Sequence, residues 1–206
     1  MRLVGAPQYR RLVEALMHYE HAGFKAIDVP WAVSKEAMDI TRPAWAGPRT
    51  LSYEAGGVEI CPVASAEQSF LQLQLDAVAS GNRVVGDYVT MTPCFRNEPV
   101  LDDLHQPYFM KVELISWDSP DREARNVLDD MLLFATDFFD RFVETVVIEN
   151  EDPDPIGDIA YDIVTYNGHI ELGSYGIRNH PKVGRWIYGT GCAEPRLSYA
   201  IEIDNS

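Results

Sequence analysis

Two short runs hold the residue types that chemistry needs: Pro93-Cys94-Phe95-Arg96-Asn97-Glu98, and further on Tyr108-Phe109-Met110-Lys111-Val112-Glu113. An arginine presents a rigid fork of donors to phosphate or carboxylate oxygens, a glutamate accepts from an exocyclic amine, and a phenylalanine offers a face on which a purine stacks. Arg96, Glu98 and Phe109 together form a set that would hold ATP. The elements that must position them read as two antiparallel strands, 83–95 and 108–117, rich in Val, Tyr, Phe and Ile with partial alternation. The polar stretch 99–107, with Asp102, Asp103 and His105, joins them as a long hairpin loop.

Composition narrows the setting. The 206 residues suit a single domain, 1–206, that buries roughly two thirds of its unfolded surface. A hydrophobic content of 46% and a charged content of 24% are those of a soluble globular protein, and no apolar run approaches the roughly 20 residues of a membrane span. The N-terminus lacks the apolar core of a signal peptide, so a cytoplasmic location is expected. Cys61, Cys94 and Cys192 are far apart and without C-x-x-C spacing, which argues against a disulfide framework and a structural zinc site. Asp and Glu outnumber Lys and Arg by 32 to 17, for a net charge of -15. With no cluster of three basic residues in a short window, extensive nucleic-acid binding is disfavoured. The acidic run 149–155, interrupted by prolines, reads as a solvated connector rather than a calcium loop.

Periodicity predicts a helix over 7–21 ending near Gly23, with His18 and His21 on its surface, then a strand over 24–30. Trp31 and Val33 continue an apolar face, 34–49 is irregular, and 51–53 and 58–62 form a hairpin turning at Gly56-Gly57. Residues 65–80 are helical. Ser119-Pro120-Asp121 starts a second major helix running from 123 to 147. Strands follow at 159–165 and 169–172, turning at Asn167-Gly168, then a glycine-rich turn region over 173–184. The chain closes at 189–201 with a strand, a tight glycine turn and a helix start. This order implies an α+β fold, an antiparallel β-sheet flanked by helices.

Several of these runs, taken in order, resemble the signature motifs of class II aminoacyl-tRNA synthetases, most closely the seryl type. Phe95-Arg96-Asn97-Glu98 with Lys111-Val112-Glu113 behind it resembles motif two, and Gly189-Thr190-Gly191-Cys192-Ala193-Glu194-Pro195-Arg196 resembles motif three. Ser65-Ala66-Glu67 stands for a TAE-like element, and Glu171-Leu172-Gly173-Ser174 for the acid-and-serine pair ahead of motif three. Motif one is weaker, carried by Gly23-Phe24 and Val29-Pro30.

The resemblance implies a role for each matching residue. Arg96 would bind the α-phosphate of ATP and the substrate carboxylate, and with Arg196, on the γ-phosphate, would form the catalytic pair. Glu98 would accept from the adenine amine, Phe109 would stack on the ring, and Arg196 would cover its other face. Glu171 and Ser174 would give oxygens to Mg2+. Ser65, Glu67 and Glu113 would line the amino-acid pocket, and Gly189 and Gly191 would let the backbone approach the ligand.

The resemblance also implies a homodimer built on the region 9–30. The expected core has no room for a tRNA-binding arm. It would activate a small amino acid as its adenylate, release pyrophosphate, and pass the aminoacyl group to a non-tRNA acceptor such as a carrier-protein thiol or a small amine. Two alternatives stay open: a catalytically silent paralogue that regulates a partner, and a minimal tRNA synthetase that borrows its tRNA-binding module from a separate protein.

Overall fold

A computed structural model describes residues 6–41, 51–98, 100–117, 122–150, 156–167 and 170–205. Its framework is the predicted hairpin. Strand β5 (Gly86–Phe95) and strand β6 (Tyr108–Trp117) pair antiparallel over their whole length, from Gly86 opposite Trp117 to Phe95 opposite Tyr108. Next to β6 lies β10 (Gly184–Glu194), then β9 (Glu171–His180), β8 (Gly157–Thr165) and, at one edge, β7 (Thr145–Glu149). The other edge is β1 (Lys25–Ala26), which pairs parallel with β5 and completes a seven-stranded, otherwise antiparallel sheet. The α+β expectation of a helix-flanked antiparallel sheet therefore holds.

Alternation along the strands sends neighbouring side chains to opposite faces, and each face has its own cover. Leu114 and Ile187 join the core formed by Leu12, Ala15 and Tyr19 of helix α1 (Tyr9–His21) and by Leu128, Met131 and Phe138 of helix α4 (Ala124–Phe139). Their neighbours Ile115 and Trp186 pack instead with Phe70 and Leu71 of helix α3 (Ala66–Ala79). Helix α3 starts where sequence places it because Ser65 and Gln68 form a reciprocal capping box. A separate three-stranded sheet, β2 (Ala32–Ser34), β4 (Val58–Pro62) and β3 (Tyr53–Ala55), sits beside α3. Its hairpin turns at Gly56 and Gly57, both at positive φ (61° and 77°), as a two-residue primed turn requires.

Several elements differ from the sequence reading. Residues 34–41 are not irregular: Ser34 accepts from the Ala37 amide and opens helix α2 (Lys35–Thr41), which buries Ala37, Met38 and Ile40. The strand expected over 24–30 shortens to two residues. Helix α4 stops at Phe139, and the β-branched run Thr145-Val146-Val147-Ile148 forms edge strand β7 instead of a last helical turn. The glycine-rich stretch after Glu171 is mostly a ten-residue strand, and no glycine turn interrupts β10, which absorbs the irregularity as a shift in register between Thr190 and Cys192. The helix start at 119–121 and the turn residue Gly168 lie outside the described residues.

Candidate active site

Phe109, Lys111 and Glu113 occupy alternate positions of β6 and so share one face. Arg96 follows directly on β5, its amide bonded to Pro107 O (3.0 Å). Its guanidinium carbon lies 5.0 Å from the centre of the Phe109 ring, and its Nε donates to Ala64 O (3.3 Å), on the connector that precedes α3. Facing it, Arg196 opens helix α5 (Arg196–Asp204) at the end of β10. One Arg196 nitrogen donates to Glu171 O (3.3 Å), with the Glu171 carboxylate at 3.6 Å, and the other donates to Leu104 O (3.4 Å) of the β5–β6 loop. Between them runs an open cleft whose lining includes Arg96, Glu98, Phe109, Lys111, Glu171 and Arg196. The structure thus brings together five of the predicted residues and adds Lys111, for which sequence offered no role.

The electrostatics favour an anion in this space. Burial lowers the Arg196 pKa, and although Glu171 opposes this, the like charge of Arg96 adds to it. A negative ligand beside Arg196 would add to what Glu171, Glu98 and Asp102 already do, favouring its charged form against burial and the Arg96 charge. The loop that closes the cleft is stiffened from inside: Asp102 accepts from the Leu104 and His105 amides (2.9 and 2.7 Å) and from the His105 ring. The His105 side-chain bond, followed by the two amides, holds the Asp102 carboxyl below its usual range. His105 therefore serves the loop.

Glu113 is buried, and its oxygens are engaged. Oε1 accepts from Ser65 Oγ (2.5 Å) and Lys111 Nζ (2.9 Å), while Oε2 accepts from the Ala66 amide and faces Cys94 Sγ at 3.9 Å. A carboxylate offers about four lone-pair sites, and here each has a donor. Burial pushes the Glu113 pKa up, but the Lys111 charge and the bonds from Ser65, Lys111 and Ala66 outweigh it and leave the group below its ordinary value. Burial, followed by the Glu113 charge, pushes the adjoining Cys94 thiol up to about 12, which keeps it protonated and inert.

Three expected site residues are placed differently from the sequence reading. Glu67 does not open onto the cleft: its carboxylate is held by Trp186 Nε1 (2.6 Å) and by an ion pair with Arg178. A Cβ on Gly189 would stand 2.6 Å from Met131 Sδ, and one on Gly191 2.6 Å from Tyr19 Cε2. These glycines let helices α4 and α1 pack closely on β10. Tyr19 confirms the close approach by donating to Gly191 O (2.9 Å).

Residues that sequence reasoning missed include Glu194 and Arg11. Glu194 lines the cleft yet is fully buried, bonded to Arg11 Nη1 (3.1 Å) and Ser198 Oγ (2.6 Å). Its position two residues before Arg196 was a usable signal, whereas nothing local points to Arg11, 183 positions away. His18 is likewise more than surface, since its Nε2 meets Phe134 O at 2.8 Å and ties α1 to α4.

Behind Glu171, Ser174 of β9 pairs with Asp162 of β8. Burial, with the charge of Glu171 behind it, pushes the Asp162 carboxyl up, and the Ser174 hydroxyl that donates to it works the other way. Two carboxylates beside a hydroxyl make an all-oxygen set of the kind that suits Mg2+. Among the described residues no group of three His, Cys, Asp or Glu could hold a metal, so phosphate oxygens would have to complete the shell.

This architecture has the fold of a class II aminoacyl-tRNA synthetase catalytic core. Among solved structures it is similar to the cytoplasmic serine-tRNA ligase of Naegleria fowleri in complex with AMP, with a TM-score of 0.78 and 16% identity, over 97% of this chain and 50% of that one. Seryl-tRNA synthetase of Pyrococcus horikoshii complexed with ATP follows at 0.73 and 16%, over 92% and 48%. PylSc of Desulfitobacterium hafniense, a pyrrolysyl tRNA synthetase, gives 0.72 and 17%, over 95% and 67%. The chain spans about half the length of the two seryl enzymes. No family model and no curated protein matches it. Among the described residues no helix is long and apolar enough to cross a membrane.

Proposed function

We propose that this chain is an ATP- and Mg2+-dependent ligase that activates a small amino acid as its adenylate and passes it to an acceptor other than tRNA. The observation that carries this reading is the convergence of Arg96 and Arg196 on one cleft, with Phe109 under the first and Glu98 beside it. The substrate carboxylate oxygen attacks the α-phosphorus, the new C–O–P linkage forms, and the bond to the bridging oxygen breaks to release pyrophosphate. Arg96 would neutralise charge on the pentavalent phosphorus, and its stacking on Phe109 and bond to Ala64 hold its guanidinium in advance. Arg196, fixed at both ends by Glu171 and Leu104, would grip the outer phosphates. Glu171, Ser174 and Asp162 would hold Mg2+, which supplies charge neutralisation to the triphosphate when bound.

Small substrates are supported by what fills the sheet face inward of Thr190. A Cβ on Gly176 would lie 2.8 Å from the Tyr188 hydroxyl, and Arg178 stacks 4.0 Å from the Tyr188 ring centre. A non-tRNA acceptor is supported by the net charge of -15, which repels a phosphate backbone. A homodimer is supported by Tyr9, Val13 and Met17, which repeat every fourth residue along α1 and stay 45–58% exposed. The saturated state of Glu113 favours a second reading, a paralogue that binds nucleotide without activating an acid. ATP–pyrophosphate exchange, run with Mg2+ against each proteinogenic amino acid and several small non-proteinogenic ones, separates the two. Exchange with one of them is expected; silence across the panel, with ATP binding intact, would overturn the ligase reading.

A further inference from the structure

We propose that Lys111 is a phosphate-binding residue of this cleft and that Glu113 is the positioning residue that aims it. The inference rests on the nucleotide-binding reading above. Lys111 stands one same-face step along β6 from Phe109, about 7 Å inward. It lines the cleft with Arg96 and Thr190, its side chain 12% exposed. One of its three donors is spent on Glu113 Oε1 at 2.9 Å, which leaves others to a ligand. Glu113 cannot itself take a substrate ammonium, because its acceptor positions are engaged by Ser65, the Ala66 amide, Lys111 and Cys94. What those bonds do is fix a carboxylate rigidly on the Ser65 cap of helix α3, and through it fix the ammonium of Lys111. A purine stacked near Phe109 would send its α-phosphate inward, between Arg96 on one side and Lys111 on the other. The cation is held before the ligand arrives, so no reorganisation is needed when charge develops there.

The test compares adenosine with AMP, which differ by the phosphate alone. Dissociation constants would be measured by titration calorimetry on wild type, Lys111→Met and Lys111→Arg. The expected result is that Lys111→Met weakens AMP by about tenfold or more and leaves adenosine within about twofold, while Lys111→Arg recovers most of the AMP affinity. Equal loss for both ligands, or no loss for either, would overturn the proposal. Should Lys111→Met fail to fold because Glu113 loses its cation, the double variant Lys111→Met/Glu113→Gln removes the uncompensated charge and must show the same selective loss. A wild type that binds neither adenosine nor AMP would instead sink the nucleotide reading itself, a result distinct from AMP binding that ignores Lys111.

Discussion

Replacing Arg96 by Ala separates chemistry from scaffolding, because the structure shows what else the side chain does. Its guanidinium rests on the half-buried Phe109 ring and donates one bond to Ala64 O. A cation–π contact and a single hydrogen bond together contribute about 1–2 kcal/mol. In a domain of this size that moves Tm by about 2–8 °C. The kinetic effect is larger: removing a preorganised donor aimed at developing charge costs about 100- to 1,000-fold in rate, roughly 2.7–4 kcal/mol of transition-state stabilisation. The assay is ATP–pyrophosphate exchange under saturating ATP and amino acid, with thermal unfolding run on the same preparations. A variant that folds within the stated Tm range and loses two to three decades of exchange supports the assignment. Exchange within about threefold of wild type would refute it and remove Arg96 from the reaction centre.

Gly191→Ala puts a methyl against the Tyr19 ring and is expected to destabilise by about 1–3 kcal/mol, read as a lowered Tm, because Tyr19 is wedged between α1 and β10 with no free volume. Glu113→Gln tests the buried pair through pH. The folded pKa of Glu113 lies below that of an ordinary glutamate, so its stabilisation is complete above a pH of about 4.5 and is lost as pH falls through the folded value. Denaturant unfolding at a series of acid pH values should show a shallower loss in the variant, and an unchanged slope would count against the pairing. Met17→Asp places a charge in the exposed stripe of α1 and is expected to convert a dimer to a monomer by light scattering at micromolar protein; a wild type that is already monomeric would dispose of that assembly.

The parts of the fold that were legible in sequence are those in which local chemistry dictates local form. The Gly56-Gly57 turn, the helix that begins after Ser65 and the two long strands around the cleft are specified within a few residues of one another. The stretch after Glu171 misled because glycines were read for their turn preference. Gly173 and Gly176 sit inside β9 because, on β10, Thr190 Cβ lies 2.9 Å and the Tyr188 hydroxyl 2.8 Å from where their Cβ atoms would be. Such crossings depend on strand order, which a linear pattern does not contain. The same holds for charge partners. Glu67 and Glu113 look alike in sequence as pocket acids, but Arg178 lies 111 positions from the first and Lys111 only two from the second.

The internal pairing of acids explains how a chain with net charge -15 can offer an anion site at all. Each of the buried glutamates has its own cation: Glu67 has Arg178, Glu113 has Lys111, and Glu194 has Arg11. Buried pairs of this kind add little net stability against apolar replacements, yet losing one partner costs about 3–5 kcal/mol. Their use here is geometric. Glu194 ties α1 to the start of α5, and therefore to the backbone that presents Arg196. Glu113 ties β6 to the cap of α3, next to the Ala64 carbonyl that holds Arg96. With these three acids paired in place, Arg96, Lys111 and Arg196 line the cleft together with Glu98 and Glu171, and burial with the Arg96 charge lowers the Arg196 pKa against the pull of those two acids. On the proposed function, the surplus acid on the rest of the surface would repel polyanions at long range, whereas a small nucleotide that reached the cleft would meet the arginines at contact distance, where they would outweigh screened surface charge.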